Sequence, residues 1–170
     1  GHNDYADSSR PVFISEQGRH EPTEEHGGLS ALGRAAIKRV NQLGAVVDIS
    51  QLSRRAALEV MHLSKAPVIA SHSNARGLTD VSRNLSDEEL DLLAETGGVI
   101  HVAPFRGYLY NSNDPSLDAD IRQIRRTSGI SEDYLYPFEL YWEIDDQQVQ
   151  QSFLSAVSER LGPGSIAAMV

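Results

Sequence analysis

His72 follows the apolar run Pro67-Val-Ile-Ala-Ser71, and Gln51 and Asp48 hold the corresponding place one unit earlier, in Asp48-Ile-Ser-Gln-Leu-Ser53. A neutral imidazole is a good zinc ligand, and a single histidine is equally at home as a hydrogen-bonded structural group, so both readings stand for His72. Gln51 offers only an amide oxygen, a weak and neutral donor to zinc beside imidazole, and its other reading is a loop hydrogen-bonding residue. Asp48 falls inside a short apolar strand and must be satisfied if buried. It can do so by orienting a neighbouring ligand or by accepting from a loop amide. Arg83 lies with Asp80 and Asn84 on a loop, where its rigid guanidinium fork suits a carboxylate. Arg106 and Tyr108, beyond the next strand, could complete such a pocket, with simple packing as the alternative for Tyr108.

The remaining histidines are weaker candidates. The opening Gly1-His-Asn-Asp4 spaces His2 and Asp4 so that an extended backbone would put both on one face. His20 and His26 lie in the same irregular stretch, His62 falls within a helix and His101 within a strand. With no cysteine in the sequence, a metal site has only imidazole and oxygen donors to draw on, and there is no disulfide framework. No Gly-x-Ser-x-Gly elbow and no glycine-rich phosphate loop is present, so serine hydrolysis and nucleotide binding have no specific support.

The formal charge of −9 comes from acidic residues spread along the chain, which argues against a nucleic-acid partner. No apolar run approaches the ~20 residues that span a bilayer, and no signal peptide is visible. The expectation is a soluble protein, cytoplasmic or periplasmic, with homodimer formation left open.

Helix and strand signals alternate around these residues. Residues 1–28 lack apolar periodicity and read as a long irregular connection. Leu32, Ala36, Val40 and Leu43 recur at helical spacing up to Gly44, and Ala45-Val-Val-Asp-Ile49 reads as a buried strand. Ser53 can cap a helix carrying Ala57, Val60, Met61 and Leu63, which leads to the strand at Pro67. Ser86-Asp-Glu-Glu89 is a capping box that opens a helix with Leu90, Leu92 and Leu93, closed by Gly97-Gly98 and followed by the strand Val99-Ile-His-Val102. Three rounds of helix then strand without hairpin signals predict a parallel sheet. Polar residues at the C-terminal ends of its strands are where a (β/α) barrel keeps its chemistry. Beyond Pro104 the rhythm breaks. Helices are predicted over Leu117–Arg126 and Gln147–Leu161, and an aromatic segment, Tyr134 to Trp142, reads as a lid or a partner-contact surface.

The order and spacing of Gly28-Leu-Ser-Ala-Leu-Gly33, Asn41-Gln-Leu-Gly44, Asp48-Ile-Ser50, Ala66-Pro-Val-Ile-Ala-Ser-His-Ser-Asn-Ala-Arg76 and Ser82-Arg-Asn84 resemble the membrane dipeptidase (renal dipeptidase) family of zinc peptidases, from about Tyr5 to Tyr108. The resemblance implies a (β/α)8 TIM-like barrel of which this chain carries an internal segment. It also implies a metallopeptidase hydrolase with two zinc ions per full-length chain, whose bound hydroxide attacks the peptide carbonyl of a dipeptide. By position it makes His72 a ligand of the second metal, and Arg83 and Tyr108 contacts of a dipeptide or other amino-acid-like substrate. Gln51 stands where the other histidine ligand belongs, as a substituted ligand position.

Tyr5-Ala-Asp-Ser8 matches an internal segment of the family, which makes His2 and Asp4 loop residues. It also places the first-strand His-x-Asp pair, the bridging glutamate, a further histidine and a late-strand aspartate outside these residues. Both ends of the chain therefore read as cuts. At 170 residues the chain is shorter than the ~250 typical of a complete barrel. The expected organisation is one partial barrel domain, with a loop (1–28), βα units (29–103), an aromatic-rich insertion (104–146) and a helical segment (147–170). It is expected to be inactive alone. The alternative function is a degenerate family member with one metal or none, which binds an amino-acid-like ligand or catalyses another reaction.

Overall fold

The computed structural model describes residues 4–9, 13–14, 19–20, 24–111, 113–130 and 144–162. The chain divides into two compact units, Gly1–Ala103 and Pro104–Val170.

In the first unit, helix α1 (Ala31–Leu43) begins at Ser30, whose hydroxyl accepts from the Gly33 amide, and stops at Gly44 in the left-handed conformation (φ 68°). Its helical span agrees with the apolar spacing, but its buried face does not. Leu32 and Leu43 are 55% and 63% exposed, while Gly33 and Ile37 turn inward beside Leu29. A side-chain carbon at Gly33 would lie 2.0 Å from the Tyr5 carbonyl oxygen, so only glycine lets the helix approach that strand-like segment.

Helix α2 (Arg54–Leu63) is capped by Ser53 and buries Ala56, Ala57, Val60 and Met61, whereas Leu63 is exposed. Each large apolar side chain placed inside contributes about 1.5–3 kcal/mol. Helix α3 (Asp87–Glu95) starts from the complete Ser86/Glu89 capping box and buries Leu93. An Arg54–Glu88 ion pair joins α2 to α3. Glu59 fastens α2 to the entry of α1 by accepting from the Leu29 amide and from Arg34.

Strands β3 (Ile69–Ser73) and β4 (Val99–Val102) pair in parallel, Ile69 with Val99, Ala70 with Ile100 and Ser73 with Val102, with an irregularity between Ala70 and Ser73. The segment expected as strand Ala45–Ile49 is reduced to one parallel bridge, Asp48 with Ile69, in which Ile69 N–H donates to Val47 and Ile49 N–H to Ile69. Ala45 and Val46 lie exposed outside it. The order of these staves is that of successive βα units, and Ile49, Val68, Ala70 and Leu93 meet in the core beneath them.

Residues 1–28 are not wholly irregular. Two-residue strands β1 (Phe13–Ile14) and β2 (Arg19–His20) pair antiparallel, too short to show any periodicity in the sequence. Asp7, fully buried, accepts from the amides of Glu25, His26 and Gly28 at 2.7–3.0 Å and so folds the end of this segment over the start of α1.

In the second unit, helices α4 (Leu117–Thr127) and α5 (Gln147–Leu161) match their expected spans. They pack through Leu117, Ile121, Phe153, Val157 and Leu161, with the Arg125 guanidinium 5.7 Å from the Phe153 ring centroid. Arg160 binds Asp120 at 2.6 Å and Asp114 at 2.8 Å. The Ser116 amide, with Arg160 and the Ser116 hydroxyl, lowers the Asp114 carboxyl to about 2. No strand occurs after residue 103 among the described residues, and the aromatic segment Tyr134 to Trp142 lies outside them. No helix among the described residues is long and apolar enough to cross a membrane.

Candidate functional site

The C-terminal ends of the first two staves bring Asp48, Gln51 and His72 together. His72 lies within β3 rather than just after it, because the strand runs on to Ser73. Its amide donates to the Ser50 hydroxyl (3.0 Å), which also meets the Ser73 hydroxyl at 3.1 Å. Its ring is held at both nitrogens. Nδ1 lies 2.7 Å from Ser71 Oγ, and Nε2 lies 2.8 Å from the side-chain nitrogen of Gln51. Ser71 Oγ in turn donates to Asp48 Oδ2 at 2.5 Å.

Asp48 fills both roles open to it from sequence. Its Oδ1 accepts from the Ser50 amide (2.9 Å) and the Ser71 amide (3.1 Å), while Oδ2 reaches His72 through Ser71. Partial burial opposes its ionisation. The Ser71 hydroxyl, the Ser50 and Ser71 amides and the nearby His72 outweigh that, so its carboxyl titrates below the ordinary aspartate value.

Gln51 adopts a left-handed backbone (φ 72°), the only non-glycine among the described residues to do so. A bulky side chain in this conformation is strained by about 1–3 kcal/mol and persists only when its surroundings enforce it. The enforcement comes from residues 7–9. Ser9 N–H and Ser8 Oγ both donate to the Gln51 carbonyl, at 2.8 and 3.5 Å, and Ser53 N–H donates to Asp7 O. Burial pushes the Asp7 carboxyl up, but the amides of His26, Gly28 and Glu25 together with His26 hold it below its ordinary value.

Arg83 stands on the loop after β3. That loop is closed by the Ala75–Leu85 bridge, by Asn84 Nδ2 donating to Thr79 O (2.9 Å), and by Arg76 donating to the carbonyls of Asn84 and Ser82. The Arg83 side chain is half-buried, and its Nη1 is buried with no hydrogen-bond partner among the described residues. Asn74 closes the end of β3 against β4, donating to Ala103 O and accepting from Ala103 N–H, both at 2.9 Å.

Tyr108 belongs to the second unit, on a 3-10 turn (Arg106–Tyr108), buried and edge-on to Phe105 at 4.9 Å. Arg106 there donates to the Ser158 carbonyl on α5. Of the weaker candidates, His2 and the side chain of His20 lie outside the described residues. Asp4, His26, His62 and His101 are exposed, His62 with its Nδ1 2.7 Å from the Leu58 carbonyl oxygen. Among the described residues, no group of three or more His, Cys, Asp or Glu side chains could hold a metal ion.

Sequence reasoning missed Ser71, Ser50 and Asn74. The available signal was the alternation of polar side chains through Ser71-His-Ser-Asn74, which is unusual at the end of an otherwise apolar strand.

The model of the membrane dipeptidase family, peptidase family M19, matches residues 1–131. Dipeptidase aclJ of Aspergillus oryzae is 37% identical over 107 residues, which cover 63% of this chain and 23% of that protein. Dipeptidase 3 of Homo sapiens is 36% identical over 91 residues, covering 54% of this chain and 19% of that one. Among solved structures, the probable dipeptidase PvdM from Pseudomonas aeruginosa is 39% identical with a TM-score of 0.66, over 92% of this chain and 39% of that chain. The chain thus spans about a fifth to a quarter of these curated relatives, and its parallel βα units are part of a TIM-like α/β barrel. Matched over most of its length, the chain belongs to the membrane dipeptidase family of peptidases, M19.

Proposed function

We propose that the full-length protein carrying this sequence is a dipeptidase-type hydrolase acting on dipeptides, with Arg83 taking the substrate carboxylate and Tyr108 as a second substrate contact. The observation that carries this reading, beside family membership, is the Arg83 guanidinium. It is held by a loop with its own internal hydrogen bonds, and its buried Nη1 lacks a partner among the described residues. A buried donor left unsatisfied is costly, and a carboxylate is the acceptor that the guanidinium fork fits best.

The resemblance implies zinc and a metal-activated hydroxide. His72 and Gln51 do not fit a second metal ion, because the amide nitrogen of Gln51 sits on the imidazole nitrogen that would bind it. Zinc in the full-length protein would have to rest on residues other than this pair. What these residues do on their own is to fix the rim: Asp48 and Ser71 set the His72 ring, and the loop after β3 presents Arg83. We also propose that the 170 residues by themselves are inactive. The exposed Val99 and Val102 on β4, whose outer edge has no strand partner among the described residues, leave an apolar sheet edge uncovered.

The test is release of free amino acids from a panel of dipeptides by the full-length protein, with Arg83→Ala alongside. Hydrolysis with a KM raised by the substitution supports the reading. Binding of dipeptides without hydrolysis at any metal loading would overturn it. A second reading then takes over, a family member with one metal or none that binds an amino-acid-like ligand or catalyses another reaction. The 2.8 Å contact between Gln51 and His72 favours that second reading.

A further inference from the structure

We propose that Gln51 replaces a metal ion. Its side-chain amide occupies Nε2 of His72 and completes a relay from Gln51 through His72 and Ser71 to Asp48, which fixes His72 as a neutral imidazole and keeps a cation out of this position.

The proton count along the relay leads to this arrangement. The ionised carboxylate of Asp48 can only accept, so the single hydroxyl proton of Ser71 points to Asp48 Oδ2. The face that Ser71 Oγ turns to His72 Nδ1 is then a lone pair, and Nδ1 must carry the ring proton. A neutral imidazole has one such proton, so Nε2 is bare and accepts from the amide N–H of Gln51. Every proton has one acceptor. Turning the amide over would set its oxygen against Nε2 and demand a second ring proton, a cation that the arrangement as it stands does not need.

Two further observations point the same way. Ligand atoms sharing one tetrahedral zinc at ~2.0–2.1 Å stand roughly 3.3 Å apart, whereas the two nitrogens here are 2.8 Å apart and in direct contact. The Gln51 backbone is also held in the left-handed region by Ser8 and Ser9, so the amide is aimed at the ring by a conformation that the chain must enforce. A histidine at position 51 would bring a second bare nitrogen toward Nε2. Two facing lone pairs need a proton or a cation between them; glutamine brings its own proton.

The inference does not depend on dipeptide hydrolysis, and its test reads no activity. In full-length protein labelled with 15N, long-range correlations of the His72 ring report which nitrogen is protonated. The expected result is the Nδ1–H tautomer, with ring shifts that do not move on addition of several equivalents of Zn2+. Elemental analysis after dialysis should then show that Gln51→His gains one metal ion per chain over wild type. Should that variant fail to fold, Gln51→Glu, which offers a ligating carboxylate in nearly the same volume, is expected to gain the same ion. A wild-type His72 ring that shifts with Zn2+, an Nε2–H tautomer, or equal metal content in wild type and variant would each overturn the proposal.

Discussion

Two neighbouring loops at the same rim are built from similar residues to opposite ends. The loop after the first stave, Asp48 to Ser53, is closed upon itself. Asp48, Ser50 and Gln51 all pair within the protein, and the strained Gln51 backbone is part of that closure. The loop after β3, Asn74 to Leu85, is just as well tied at its base by Asn74, Arg76 and Asn84, yet it presents Arg83 with a buried donor lacking a partner among the described residues. The first spends its polar groups on holding shape, and the second reserves one for a ligand. Hydrogen-bonding capacity that is already saturated cannot recognise anything further, so substrate contact is expected from the second loop and positioning from the first.

That contrast can be broken most severely at Asp7. Asp7→Ala leaves three buried amides without their acceptor and loosens the residues that hold Gln51, so a loss of about 2–4 kcal/mol in denaturant unfolding is expected. The carboxyl is depressed in the folded state. Its contribution is therefore complete above the ordinary value of 3.8 and is lost as pH falls through the lower folded value. Acid unfolding of wild type followed by circular dichroism should steepen in that window, and Asp7→Asn should flatten it.

Next comes Arg83→Ala. Loss of a charge-assisted contact costs about 1.5–3 kcal/mol, so dipeptide KM is expected to rise roughly 10- to 100-fold. The melting temperature should hardly change, because the buried Nη1 makes no hydrogen bond to lose among the described residues. A large fall in stability instead would mean that the second loop is as closed as the first.

Ser71→Ala interrupts the first loop's relay and is expected to cost about 1 kcal/mol, with the His72 ring freed to exchange tautomers in NMR spectra. Gln51→Gly should have the smallest net effect. It relieves the left-handed strain while losing one hydrogen bond, and the two terms nearly cancel at about 1 kcal/mol each. A large loss of stability there would show that the side-chain contact outweighs the backbone cost.

Much of this architecture was legible because its signals are local. Ser30, Ser53 and the Ser86/Glu89 box mark three helix starts by residue type alone, and the apolar runs between them fix the βα rhythm. The inward face of α1 was not legible. It depends on Gly33 meeting Tyr5, a contact that helical spacing does not encode. The left-handed backbone of Gln51 was hidden for a similar reason, since nothing in its residue type announces a conformation that glycine usually takes. His72, Gln51 and Arg83 were singled out in advance. The serines that give the first two their geometry were not, because a serine's partner is decided by tertiary structure.

Asn74 has a mechanical consequence. The main-chain register between β3 and β4 is already irregular before Ser73, yet the Asn74 side chain grips both the N–H and the C=O of Ala103. A pull on the chain at Ala103 would load these two bonds together, so the strand end should resist as a clamp in shear where a bare ladder would peel open one bond at a time.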